Sequence, residues 1–306
     1  MQRDWKSVNN RLVRQGTLLI SLSFLDSWQE QVKQLSYDKV GRPYEYPTGL
    51  IQYTGLLHCF MHLPYRQAKG VLIAVAEKEP RLKAADYCTL CRRFNSLETK
   101  IRPRQQAPDE DLWVAIDASG VCVTNRGEWM RKIHRKGKIA ESKGFLKIHV
   151  SVDMKTKEVV GLEITTDKIG DNQRFDDLLQ DSIRNTGKTL KGIYADGGYD
   201  TYENFEKLEE AGIFPGIRID ENAVTGPPPD RHPQRRRKEP ARTKHARKQL
   251  QNRDKWRKET GYGLRWHNEG FFSVLKQRYG KHVMAKNFKN MQQELLSKTQ
   301  LYNQLL

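Results

Sequence analysis

The stretch LWVAIDAS, residues Leu112–Ser119, decides the fold class of this chain. It is a short apolar run, which is typical of a strand buried in the centre of a sheet. The apolar part ends on a carboxylate, Asp117, and a carboxylate in such a place is costly unless it is ion-paired or bound to a metal. The stretch therefore predicts both a central strand and a chemical role for Asp117.

Two segments that follow this run predict an antiparallel hairpin. In Gly144–Asp153 and again in Glu158–Thr165, apolar and polar residues alternate one by one. Strict alternation is the pattern of strands with one buried face, and the residues between the two segments form a turn. His149 and Asp153 fall on the polar side, so they are expected to line the exposed face of the hairpin.

A second acid follows a second short strand. Ile193–Ala195 is apolar and is followed at once by Asp196 and two glycines, which allow a sharp turn of the backbone. Asp171 is expected to cap the helix before this strand. The flanking elements are predicted as helices over Asn172–Asn185 and Tyr202–Ala211 and a strand over Ile213–Ile219. The order of strands and helices predicts a mixed α/β domain.

The sequence YGLRWHNEGFFSVLK, Tyr262–Lys276, predicts a helix with one charged face. At about 100° per residue, Arg265, Glu269 and Lys276 share one narrow side with Tyr262. The opposite side is apolar and consists of Leu264, Phe271, Val274 and Leu275. Taken alone, such a face is more often an ordinary solvated surface. The two aspartates at strand ends favour a chemical role instead.

Asp117, Asp196 and Glu269 are predicted to converge on a metal site. Neighbouring strands lie about 4.8 Å apart, so two acids at adjacent strand ends are close, and a helix at the sheet edge can bring the third. Close carboxylates repel each other unless cations lie between them. Oxygen ligands select Mg²⁺, with Mn²⁺ as a substitute. Two ions per site would stabilise both oxygens of a phosphodiester displacement.

The charge of the chain indicates a nucleic-acid partner. Its 306 residues contain 54 Lys and Arg against 37 Asp and Glu, a formal net charge of +17, which is more than solubility requires. Arg231–Lys258 alone holds thirteen basic residues and follows three prolines. We expect a flexible basic loop at about residues 220–245 that contacts DNA through Arg235, Arg236 and Arg237.

The N-terminal residues, 1–108, predict a separate helical region. Several short helices are indicated, and the last of them carries Arg92 and Arg93, an arrangement that fits a helix-turn-helix-like DNA-binding region as well as an ordinary helical bundle. Residues 109–306 would then form the catalytic domain.

The cysteine content and the hydropathy of the chain indicate the compartment in which the protein is expected. No apolar run is long enough for a membrane span, and four cysteines do not make a disulfide framework. A cytoplasmic, nucleoid-associated protein is expected. The side chains of Cys59, His62, Cys88 and Cys91 could in principle hold zinc, but both pairs lie in helical pattern, where buried inert cysteines are the commoner case.

The acid-bearing motifs resemble those of the DDE transposases of bacterial and archaeal insertion sequences. Tyr262, Arg265, Glu269 and Lys276 match the Tyr-x2-Arg-x3-Glu-x6-Lys (YREK) signature of one subgroup at every spacing, and AIDASG and YADGGYD look like the two aspartate motifs. The likeness is strongest to the insertion-sequence-five branch. GRPYEYP and LPYRQAKG near the N-terminus are similar to the DNA-binding region of that branch.

The resemblance implies a ribonuclease-H-like mixed sheet with flanking helices. It implies Mg²⁺-dependent cleavage at the ends of an insertion sequence and transfer of the freed 3′-hydroxyl into target DNA. Asp117 would bridge two metal ions, while Asp196 and Glu269 would each hold one. Tyr262, Arg265 and Lys276 would hold DNA phosphates. The implied partners are the terminal inverted repeats, target DNA and a second copy of the chain, as a homodimer on DNA.

Two other functions fit parts of the sequence. A domesticated transposase acting as a DNA-binding regulator would need no catalysis, and the intact set of three acids argues against it. A ribonuclease-H-like nuclease would cut DNA without strand transfer, and only the Tyr-Arg-Glu-Lys signature favours transposition over this alternative.

Overall fold

The computed structural model describes residues 4–104, 110–123, 145–223 and 240–306. Arg235, Arg236 and Arg237 lie outside these ranges. The chain divides into two compact units, Met1–Lys100 with Leu275–Leu306, and Ile101–Val274. These units are drawn differently from the predicted domains, since the C-terminal residues belong with the N-terminal ones. DNA binding by residues 1–108 remains a prediction.

The first unit is built mainly from helices. Its helices are α1 (Trp5–Leu19), α2 (Trp28–Ser36), α3 (Thr48–Phe60), α4 (Tyr65–Ala76), α5 (Tyr87–Phe94) and, near the C-terminus, α11 (Phe288–Leu305). Leu50, Leu57, Leu72, Leu90 and Phe94 are buried together in its core. Asp86 caps the start of α5 by accepting a hydrogen bond from the Cys88 amide at 2.9 Å.

The described cysteines of this unit do not form a zinc site. Cys59 is buried and Cys88 and Cys91 are partly buried, all three as free thiols. Among the residues that the structure describes, no three His, Cys, Asp or Glu side chains are grouped closely enough to hold a metal ion. No helix in the described ranges is both long enough and apolar enough to cross a membrane.

The second unit is organised around a mixed sheet in which its strands follow the order β3-β2-β1-β4-β5. The strands are β1 (Asp111–Val123), β2 (Phe145–Asp153), β3 (Val159–Thr166), β4 (Thr189–Ala195) and β5 (Phe214–Ile217). The first three pair antiparallel, and β4 and β5 continue parallel to β1. This is the ribonuclease-H-like arrangement that the motifs implied.

Helices cover both faces of this sheet. They are α6 (Phe175–Thr186), α7 (Tyr202–Glu210), α8 (Ala241–Gln251), α9 (Arg253–Thr260) and α10 (Trp266–Arg278), the last of which runs on into the first unit. One face forms the main core, around Val114, Ile116 and Ile193. On the other face, Ala115 and Tyr194 pack against Trp256 of α9 and Tyr262.

The hairpin differs from the sequence prediction. His149 and Asp153 were expected on an exposed polar face, but both are buried, as is nearly all of β2. The reason is that α6 packs across β2 and β3, where Ser182 lies 2.6 Å from Ser151, oxygen to oxygen. Asp171 is also not the expected cap, because Gly170 occupies the N-cap position of the turn that precedes α6.

The basic tract also differs from its prediction. A flexible loop was expected as far as about residue 245, yet helix α8 begins at Ala241. Ala241 and Ala246 are buried in the main core, and the Arg242 guanidinium forms a salt bridge of 2.6 Å with Asp200. Part of the basic tract is therefore folded onto the sheet rather than solvated.

Candidate active site

The register of the sheet brings Asp117 level with Asp196. Parallel pairing of β1 with β4 places Ala115 opposite Tyr194. Two residues further along, Asp117 lies within β1 and Asp196 lies directly after the end of β4. Successive side chains alternate between faces, so both acids point to the face of Ala115 and Tyr194. The predicted convergence of the two aspartates follows from this register.

Asp196 also organises the turn that follows it. Its Oδ1 accepts a hydrogen bond of 2.9 Å from the amide of Gly198 and so caps the 3-10 turn Gly197–Tyr199. A Cβ at Gly198 would lie 3.0 Å from the same oxygen, so the second glycine leaves room for this cap. The direction of the Asp196 carboxylate is therefore tied to the position of the turn.

Arg265 joins the other two acids. Its Nη1 donates to Asp117 Oδ2 at 2.9 Å, and its Nη2 reaches Glu269 Oε1 at 3.5 Å. The Asp117 side chain is 18% exposed, whereas that of Glu269 is 67% exposed. The guanidinium thus lies between one nearly buried carboxylate and one solvated carboxylate.

The electrostatics of Asp117 reflect this setting. The pKa of Asp117 is raised, and burial of the carboxyl is the largest cause. The hydrogen bond from the Ala118 amide and the charge of Arg265 lower the pKa without cancelling this increase. The charge of Asp196 adds to the increase. A positive charge beside Asp117 offsets the effect of burial and favours the ionised carboxylate.

The predicted metal site is not assembled in this conformation. Asp117, Asp196 and Glu269 are not among any group close enough to hold an ion within the described ranges, because the Arg265 guanidinium stands between two of them. The carboxylate oxygens of Asp117, Asp196 and Glu269 are nevertheless the type of ligand that a hard divalent cation prefers.

The hydroxyl of Tyr262 makes a hydrogen bond within the protein. Tyr262 is buried, and its hydroxyl donates to the carbonyl of Ala195 at 3.1 Å. In return, the hydroxyl of Tyr194 donates to the carbonyl of Thr260 at 2.6 Å. The Tyr262 ring lies 4.9 Å from that of Trp256, and burial raises its pKa. The segment before α10 is therefore bonded to β4 in both directions.

The predicted charged helix begins later than its signature. Tyr262–Arg265 forms a 3-10 turn, and α10 starts at Trp266. Phe271 and Leu275 are buried, as the apolar side predicts, but Leu264 is 47% exposed. Trp266 is 54% exposed beside Arg265, and the sequence analysis did not identify it. Lys276 lies on the same helix, seven residues after Glu269.

The two arginines of α5 differ in their surroundings. Arg92 is exposed. The guanidinium of Arg93 donates to the carbonyl of Tyr46 and lies 4.8 Å from the centre of the Tyr44 ring, and burial lowers its pKa. Arg93 therefore holds the loop before α3, and Arg92 is the one of the pair that faces solvent.

Two family models match this chain. Residues 109–304 match the family described as "Transposase DDE domain", and residues 13–126 match a second family with the same description. The first match covers more than half of the chain and all three acids.

Solved structures with partial similarity include chains of two complexes. One is a chain of the simian T-cell lymphotropic virus intasome in complex with PP2A regulatory subunit B56 gamma, with 12% identity and a TM-score of 0.31. The other is the Drosophila P element transposase strand transfer complex, with 14% identity and a TM-score of 0.33. The matches cover 79% and 62% of this chain and 66% and 41% of those chains. On the strength of the family match, the chain belongs to the DDE transposase domain family.

Proposed function

We propose that this chain is the transposase of an insertion sequence, that it cleaves DNA at the ends of the element, and that it joins the freed 3′-hydroxyl to target DNA. The observation that carries the proposal is the meeting of Asp117 and Glu269 on Arg265, at the point where the register also delivers Asp196. Two carboxylates that share one guanidinium, with a third at the end of the neighbouring strand, are not needed for stability alone, because like charges repel.

Asp117, Asp196 and Glu269 are the residues that would hold Mg²⁺ or Mn²⁺. When bound, two such ions would supply electrostatic stabilisation of the attacking and leaving oxygens of the phosphodiester. The roles of the acids differ with their exposure. Asp117 is fixed within β1 by its bond to Arg265, while the solvated side chain of Glu269 is free to turn towards an incoming group.

Arg265 is proposed to exchange a carboxylate for a DNA phosphate. Guanidinium groups bind carboxylates and phosphates in the same two-pronged geometry. Withdrawal of the guanidinium from between Asp117 and Glu269 would open the space that a cation needs. DNA binding and metal binding would therefore favour each other at this site.

Exposed basic residues on the two helices that precede the signature in sequence support DNA as the partner. Lys248 on α8 and Arg257 and Lys258 on α9 are exposed, and both helices precede the Tyr262–Lys276 signature directly. The proposed substrates are the terminal inverted repeats and target DNA, held by a homodimer. The spacing of the signature favours the YREK subgroup and its insertion-sequence-five-like branch.

A cleavage assay tests the proposal. DNA that flanks the gene is end-labelled and incubated with the full chain and Mg²⁺, with EDTA, or with the Asp117→Asn variant. Cuts at the repeat boundary that require both Mg²⁺ and Asp117, followed by joining of the 3′ ends to a second DNA, are expected. Cutting without joining would identify a nuclease, and binding without cutting would identify a regulator.

A further inference from the structure

A buried polar cluster lies on the opposite face of the sheet from Arg265. His149 is the register partner of Ala118, the neighbour of Asp117, so it points away from the face that holds Asp117. It is fully buried, and its Nε2 lies 2.8 Å from the Thr165 hydroxyl. The proposed chemistry makes no use of His149.

The cluster holds the turn that precedes α6. Asp171 begins the 3-10 turn Asp171–Arg174, and its Oδ1 lies 2.7 Å from Lys147 Nζ and 3.5 Å from His149 Nδ1. Lys147 also donates to the carbonyl of Ile169 at 3.2 Å. The Lys147 ammonium thus pairs with Asp171, and the neutral His149 ring lies beside the carboxylate without a hydrogen bond to it.

A buried amide connects this turn to the turn after Asp196. The Nδ2 group of Asn204 donates to Asn172 Oδ1 at 2.5 Å and to the carbonyl of Tyr199 at 2.9 Å. Asn204 is only 3% exposed. Because Asp196 caps the turn Gly197–Tyr199, a continuous chain of contacts runs from β2 through Asp171 and Asn204 to the Asp196 carboxylate.

Stability alone does not account for this cluster. His149 Nδ1 and the Tyr199 hydroxyl are buried without a hydrogen-bond partner in the structure, and unpaired buried polar atoms disfavour the folded state. Well-packed apolar side chains of similar size would avoid that cost. Burial is the main cause that raises the pKa of Tyr199, and the charges of Asp171, Asp117 and Asp196 raise it further.

We infer that His149, Asp171 and Asn204 are positioning residues, which hold the turn Gly197–Tyr199 so that the Asp196 carboxylate faces Asp117. The inference rests on the proposed function, because the direction of Asp196 matters only if this acid helps to hold the catalytic cation. Groups that orient a ligand typically contribute ten- to a hundred-fold to metal affinity or activity.

Metal-dependent unfolding of the full chain tests the inference without DNA. The unfolding temperature is measured against Mn²⁺ concentration for the unaltered chain and for Asp171→Asn, Asn204→Leu and His149→Asn. Asp176→Asn is the matched control. It removes the same charge five residues away, where Asp176 forms a surface pair of 2.6 Å with Lys207. Mg²⁺-dependent cleavage is measured in parallel.

The expected result is a rise of about ten-fold or more in the Mn²⁺ concentration that gives half of the stabilisation, for Asp171→Asn and Asn204→Leu. His149→Asn, which keeps a nitrogen directed towards Asp171, should show a smaller rise, and Asp176→Asn none. The rate of cleavage should fall, whereas the affinity of the protein for DNA should stay unchanged.

Two outcomes would overturn the inference, and they are distinguishable. Variants that unfold at lower temperature without metal, yet keep the normal half-saturating Mn²⁺ concentration, would show a purely structural role. If Asp196→Asn itself responded to Mn²⁺ like the unaltered chain, the proposed function of Asp196 would fail, and the inference with it. Should Asn204→Leu not fold, Asp171→Asn and His149→Asn decide between the same outcomes.

Discussion

The guanidinium of Arg265 and the carboxylate of Asp117 form a salt bridge of 2.9 Å across 148 positions of sequence. The sequence assigns Asp117 to a cation and Arg265 to a phosphate, whereas the structure pairs them with each other. Both assignments can hold if Arg265 serves as the counter-ion of Asp117 until DNA and metal replace it. This relationship makes the two residues interdependent.

Replacement of Arg265 should therefore weaken more than one property. In Arg265→Ala, the largely buried carboxylate of Asp117 loses its counter-ion, so we expect the free energy of unfolding to fall by roughly 1–3 kcal/mol. DNA binding and cleavage should both decline. Urea unfolding and binding to labelled DNA measure the two effects. Arg257→Ala, at an exposed position of α9, is the control and should leave stability unchanged.

Glu269→Gln should separate cleavage from binding. The side chain of Glu269 is 67% exposed and its contact with Arg265 is long, at 3.5 Å, so stability should change by less than about 0.5 kcal/mol. Cleavage with Mg²⁺ should fall by more than about a hundred-fold, because a ligand is lost. DNA affinity should persist. Glu259→Gln, in a surface pair with Lys255, should cut normally. Normal cutting by Glu269→Gln would refute the assignment of Glu269 to the metal.

Tyr262→Phe distinguishes a structural from a DNA-binding hydroxyl. The structure predicts loss of the hydrogen bond to the Ala195 carbonyl and a fall of about 1 kcal/mol in the free energy of unfolding. DNA affinity should be preserved at any salt concentration. A drop in affinity with unchanged stability would instead support the phosphate contact that the signature implies.

Acid should destabilise the protein through His149. Burial is the largest cause that lowers the pKa of His149, to about 4; Asp171 opposes the shift, while Lys147 and Arg174 add to it. The unfolded chain takes up this proton near pH 6.5, so stability is complete above that pH and falls as the pH drops towards 4. The contribution is roughly 2–3 kcal/mol.

Unfolding in urea between pH 7 and pH 4 measures this effect. His149→Gln should flatten the pH dependence without abolishing it, because burial also lowers the pKa of His245. An unchanged pH profile in His149→Gln would mean that His149 is accessible to protons in the folded protein.

The strands and the positions of the acids at their ends were predictable because their signals are local. Short apolar runs mark β1 and β4, and each carries its acid at the point where parallel pairing ends. Arg265 and Glu269 are four residues apart, so they face the same side even though the segment begins as a 3-10 turn. Such patterns depend on neighbours in sequence, so composition and periodicity suffice to read them.

The remaining features depend on contacts between distant segments. Alternation assigned His149 to an exposed face, because nothing in β2 shows that Asp171 and α6 cover it. Charge density assigned Arg242 to a flexible loop, because its partner Asp200 lies 42 positions away. The ion pair of Arg265 with Asp117 was missed for the same reason. In each case the prediction used the chemistry of the polar residue itself, whereas its position depends on a partner that is distant in sequence.

The reciprocal hydroxyl bonds between β4 and the segment before α10 limit how the site can move. Tyr194 holds Thr260 and Tyr262 holds Ala195, on either side of Gly261. A hinge at this glycine that moved the helix would have to break the bond between Tyr262 and Ala195, while the Tyr194 bond keeps Thr260 on β4. The start of the helix is therefore tied to the strand that precedes Asp196. Under the proposed function, the three acids would meet a cation through side-chain rotation, chiefly of Arg265 and Glu269, rather than through domain movement.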